Sequence, residues 1–103
     1  MKQAHIFIHG FVQGVGYRQF VKKHATEFGL VGWVRNTPAR NASQSKAGGP
    51  DGAVEAVAEG LEEKIKELIE LCKKGPFLSE VDDIDVTFED KTEDFTGFEI
   101  RHD

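Results

Sequence analysis

Arg18 stands two residues after Gly16 and four after Gly14, and those glycines follow an apolar stretch that ends at Val12. A glycine-spaced turn between an apolar strand and an apolar-periodic segment can aim consecutive backbone N–H groups at one point, because it passes through conformations that a Cβ obstructs. The helix predicted to follow adds its unsatisfied first-turn N–H groups and the positive end of its dipole. Arg18 supplies formal charge from that first turn, its side chain directed back toward the helix N-terminus. The planar guanidinium suits two oxygens of one anion at once. These residue types in this order describe a site for a phosphate or a carboxylate.

Two familiar phosphate motifs do not fit. The Walker pattern requires Gly-Lys-Ser/Thr at its end, whereas Gly16 is followed by Tyr17 and Arg18; the dinucleotide fingerprint requires a third glycine where Gln19 stands. A lone Gly-x-Gly is also what a plain strand-to-helix turn uses. The second half of the case is Asn36, at the end of a short apolar strand. Its amide donates and accepts hydrogen bonds but has no useful basicity, so it can hold a water without deprotonating it. The electrophile must then need little base help, or carry its own base. A mixed carboxylic–phosphoric anhydride does both: its leaving group is a weakly basic carboxylate, and its phosphoryl oxygens can take the water's proton.

The chain of 103 residues is long enough for one core built on one sheet. No leader pattern opens it and no apolar run approaches the ~20 residues that span a bilayer, so a cytoplasmic protein is expected. The single cysteine, Cys72, fits a reducing compartment and falls at a core-facing helical position, as buried filler. A formal net charge of −5 argues against a nucleic-acid partner.

Period-two alternation predicts a strand over 4–12, with Ile6 and Ile8 on one face and His5, Phe7, His9 and Phe11 on the other. A helical stripe of Tyr17, Phe20, Val21, His24, Ala25 and Phe28 follows, stopped at Gly29. Strands over 31–36 and 51–60, a helix over 61–74 with Leu61, Ile65, Leu68 and Cys72 inward, a strand over 81–89 and a short one over 98–101 complete the chain. The order βαββαβ plus a terminal strand predicts an α+β fold, a ferredoxin-like split βαβ sandwich whose antiparallel-dominated sheet carries both helices on one face. Strands one and two then run parallel with strand three between them, so Val12-Gln13 and Asn36 lie on one sheet edge about 10 Å apart.

With those residues in place, the sequence resembles the acylphosphatase family. Gly10-x-Val12-Gln13-Gly14-Val15-Gly16-Tyr17-Arg18 is similar to that family's phosphate loop, with tyrosine for its commoner phenylalanine. Gly32-Trp33-Val34-Arg35-Asn36, Asp51-Gly52-x-Val54-Glu55-Ala56, Glu59-Gly60 and Gly97-Phe98-Glu99-Ile100 resemble its remaining blocks. The resemblance implies a hydrolase that cleaves small acyl phosphates to carboxylate and phosphate without a metal or other cofactor. It assigns phosphate binding to Arg18 with the amides of Gln13, Gly14, Val15, Gly16, Tyr17 and Arg18, and orientation of the attacking water to Asn36. It implies a small acyl phosphate as partner, phosphate or sulfate as competing anions, no nucleic acid, no membrane and a monomer. A rival from another class is a non-catalytic anion-binding or regulatory module on the same sandwich. The intact Arg18 and Asn36 pair favours the enzyme.

The family's hairpin between strands two and three is tight, whereas this chain inserts 39–50, a polar stretch that reads as a mobile loop within a single domain over 1–103. Lengthening the connection about fourfold should cost only ~1.2 kcal/mol of closure entropy. Arg40 and Lys46 would be candidates to close over an anionic substrate, against the plainer reading of a solvated insertion. His24 reads as a core-edge histidine, His5 and His9 as surface residues without metal-ligand spacing, Trp33 and the eight phenylalanines as core, and Glu80 to Asp85 as the solvated face of an edge strand.

Overall fold

The computed structural model describes residues 1–37, 53–90 and 93–101. The 39–50 insertion, and with it Arg40 and Lys46, lies outside the described residues. The elements run β1 (Lys2–Phe11), α1 (Tyr17–Glu27), β2 (Val31–Thr37), β3 (Ala53–Gly60), α2 (Glu62–Lys74), β4 (Glu80–Glu89) and β5 (Phe98–Arg101). They form one five-stranded sheet in the order β4-β1-β3-β2-β5. Among the described residues only the β2–β5 pairing is parallel, so the sheet is mixed and mostly antiparallel. Because β1 and β2 are both antiparallel to the strand between them, they run the same way and their carboxyl ends share an edge.

The predicted alternation decides which face is covered. Register places Ile6 beside Ala56 and Val86, and Ala56 beside Val34, which pairs with Ile100 in β5. That row meets the helices through Val21 and Ala25 of α1 and Ile65, Leu68, Ile69 and Cys72 of α2, all buried. Burying each of the Val, Ile and Leu side chains among them contributes roughly 1.5–3 kcal/mol, and this row ties the two helices to one face. α1 ends in a Schellman arrangement, with the Leu30 N–H on the Ala25 carbonyl at 2.9 Å and the Gly29 N–H on the Thr26 carbonyl at 3.1 Å.

Three expectations about the core are corrected. Leu61 is 62% exposed: it caps α2 in an extended conformation (φ −68°, ψ 133°), so the helical period does not reach it, and Ile69 takes the inward position instead. Among the eight phenylalanines only Phe98 is buried; Phe77, in the turn after α2, is 98% exposed, and Phe20 is half-buried at the core's edge. Trp33 shares its strand face with Arg35, opposite Val34, and lies half-buried on the sheet face that no helix covers, with the guanidinium of Arg101 4.7 Å from its ring centroid. For Trp33 the strand's parity, more than side-chain size, set the burial. Among the described residues no helix is long and apolar enough to cross a membrane.

Candidate active site

The chain leaves β1 through a bulge between His9 and Gly10, where the register with β4 shifts. Gly10 sits at φ +133° against the backbone of Glu80 and Asp82, a place without room for a Cβ. The Val12 N–H then turns back onto the Gly10 carbonyl at 3.0 Å. Residues 13–16 form the turn, with Gly14 at φ +75° and Gly16 at φ +80°. Each of these left-handed conformations would cost an L-residue about 1–2 kcal/mol. Gly16 is also the N-cap of α1, which has no side-chain cap hydrogen bond and no acidic residue in its first turn. The opening amides of the helix are therefore left for an anion rather than for a capping side chain.

Strand parity brings Asn36 to this loop. It lies on the same face as Val34, the helix side, one residue before β2 ends at Thr37. A cavity of about 90 Å³ is lined by Val12, Gly14, Gly16, Tyr17, Arg18, Gln19, Asn36 and Ile100. A single water needs only ~10–15 Å³, so an oxyanion and a water fit together. The Asn36 Oδ1 is buried, and among the described residues it has no hydrogen-bond partner. Leaving such an acceptor unmatched costs about 1–3 kcal/mol, and folded proteins keep few of them. An acceptor held this way in a cavity that Arg18 and the loop glycines also line suits a water that must be placed but not deprotonated.

The sequence-predicted residues divide here. Gly14, Gly16, Tyr17, Arg18 and Asn36 line one cavity. Val15 turns its side chain onto the core, and the Gln13 side chain is spent elsewhere, donating to the Thr37 and Ala53 carbonyls at 3.0 Å each. Gln19 and Ile100 also line the cavity, and reading the sequence did not find them. Alternation in the last strand put Ile100 on the same face as Phe98, but only its parallel pairing beside β2 brings it next to the site.

The acylphosphatase family model matches residues 4–100. The chain belongs to the acylphosphatase family. An acylphosphatase of Caldivirga maquilingensis is 42% identical over 102 residues, covering 98% of this chain and 95% of the relative. One of Methylococcus capsulatus is 41% identical over 103 residues, covering 100% of this chain and 99% of the relative. The crystal structure of acylphosphatase from Bacillus subtilis superposes with a TM-score of 0.82 at 38% identity, covering 98% of this chain and 99% of that one. The chain is thus an acylphosphatase-type hydrolase, acting on acyl phosphates.

In this acylphosphatase-family chain His5, His9, His24, Arg35 and Glu55 are not among the residues that line the cavity. On the uncovered sheet face, buried Glu55 takes Arg35 Nε at 2.8 Å and pairs with His5 Nε2 at 2.5 Å. Burial works against the Glu55 charge, yet the hydrogen bonds from His5 and Arg35 outweigh it and hold the carboxyl below its ordinary value. His5 and His9 are thus not the plain surface residues expected, since both are half-buried and His9 pairs with Asp85 at 3.3 Å. His24 sits as expected at the core's edge between Phe20 and Phe28, its Nδ1 2.9 Å from Glu27 Oε1. Cys72 is buried, and burial pushes its thiol up to about 12. Among the described residues no group of three or more His, Cys, Asp or Glu is arranged to hold a metal ion.

Proposed function

We propose that this chain hydrolyses the carboxyl–phosphate bond of small acyl phosphates without a metal, Arg18 binding the phosphoryl group and Asn36 placing the water. The observation that carries it is the buried Asn36 Oδ1, without a hydrogen-bond partner among the described residues, in the cavity that Arg18 also lines. The phosphoryl oxygens lie against the amides of Gln13, Gly14, Val15, Gly16, Tyr17 and Arg18, with the Arg18 guanidinium across two of them. Asn36 accepts one hydrogen bond from a water and holds its oxygen in line with the bond to be broken. The water oxygen bonds to phosphorus as the bond from phosphorus to the carboxyl oxygen breaks. The electron pair of that bond leaves on the carboxylate, and the water's proton passes to a phosphoryl oxygen. Preorganised amides and a guanidinium stabilise the charge that develops, the part a cation plays in other phosphoryl transfers.

Inorganic phosphate and sulfate are competing anions for the same cradle. The working unit is a monomer of one domain, and the lone buried thiol is suited to the reducing cytoplasm. Release of phosphate from a simple aromatic acyl phosphate, measured with and without a chelator, tests the reading. Turnover unchanged by chelation is expected. No release, or a strict requirement for added Mg²⁺, would overturn it.

A further inference from the structure

The Gln13 side chain bridges the ends of two strands, β2 and β3. Its single amide nitrogen reaches the Thr37 carbonyl at 3.0 Å and the Ala53 carbonyl at 3.0 Å. An amide NH₂ has two protons, so each carbonyl takes one and the donor is saturated. Thr37 and Ala53 face each other as the outermost described pair of the β2–β3 ladder, and Asn36 precedes Thr37 directly. The same residue that carries one amide of the anion cradle therefore fastens the strand end that carries Asn36.

We infer that Gln13 is a positioning residue for the hydrolysis: its side chain fixes the end of β2 against the phosphate loop, so that the water on Asn36 is held in line with the phosphorus on Arg18. This rests on the roles proposed for Arg18 and Asn36. It separates the two functions of Gln13, because the backbone amide serves the anion and the side chain serves the water. A displacement of about 1 Å at a reacting atom can cost on the order of 10²-fold in rate.

Gln13→Met keeps the length and removes both donors. Its kcat should fall about 10- to 100-fold while the inhibition constant of inorganic phosphate changes by less than about twofold, because the cradle amides remain. Gln13→Asn keeps an amide but is one methylene short, and it should show the same division; it carries the test if the methionine variant does not fold. In an Asn36→Ala background either change should lower kcat no further, since there is no longer a placed water to lose. All rates are read well below each variant's Tm. Phosphate affinity lost in proportion to kcat would overturn the inference. So would wild-type kcat with only a lowered Tm, or a loss that adds in full to that of Asn36→Ala. Wild-type kcat in Asn36→Ala alone would overturn the underlying site reading, and this inference with it.

Discussion

The Tyr17 hydroxyl donates a hydrogen bond to the Cys72 carbonyl, joining the first residue of α1 to the last turn of α2. A continued helix would satisfy that carbonyl with the N–H of residue 76, but that residue is Pro76 and has none. The tyrosine hydroxyl supplies the missing donor. Tyr17 follows Gly16 directly, so the same bond anchors the end of the anion loop to the second helix. Burial raises the phenol well above its ordinary range, keeping it a neutral donor.

Tyr17→Phe should therefore destabilise this chain by about 1–3 kcal/mol, the cost of orphaning a buried carbonyl, although phenylalanine fills the same space. Denaturant midpoints of the two proteins measure it. An unchanged midpoint would mean that water replaces the hydroxyl without cost.

Glu55 sets a pH dependence on the opposite sheet face. Its folded pKa lies below the ordinary value of 4.5, so its hydrogen bonds with His5 and Arg35 contribute stability above that value and lose it as pH falls through the lower, folded value. Wild type should exceed Glu55→Gln in Tm at neutral pH, and the difference should shrink on acidification below about 4.5. Thermal melts across that range check the sign. A difference that grows in acid would show that the carboxylate is unfavourable in the folded state.

The two residues given chemical roles, Arg18 and Asn36, were legible in the sequence because both depend on local order: a glycine-spaced turn ahead of a helix, and an asparagine at the end of an alternating strand. The topology followed from the change of period, and topology brings those two ends to one edge. What the sequence hid depends on pairing between distant segments. Ile100 reaches the cavity only through β5 lying parallel to β2, and Gln13 reveals its side-chain role only once Thr37 and Ala53 are seen beside it. Trp33 misled through size, since alternation with Val34 already placed it on the other face. Leu61 misled because a cap residue lies outside the helical period.

Cys72 should be inert in the folded protein. With its thiol raised to about 12 by burial, almost no thiolate exists at pH 8, and the sulfur is also covered. Alkylation followed by mass spectrometry should show modification only as the chain unfolds. Rapid stoichiometric labelling under native conditions would contradict the described packing of α2 against the sheet.

The central claim divides labour between Arg18 and Asn36, and inhibition by inorganic phosphate alongside turnover tests it most directly. Arg18→Ala removes charge-assisted hydrogen bonds of about 1.5–3 kcal/mol each, so its phosphate inhibition constant should rise at least about tenfold. Asn36→Ala should cut kcat about 10²- to 10³-fold, with the phosphate inhibition constant within about twofold of wild type, because placing a water adds to the reaction and not to anion affinity. Equal loss of phosphate affinity in both variants, or full turnover in Asn36→Ala, would contradict the account.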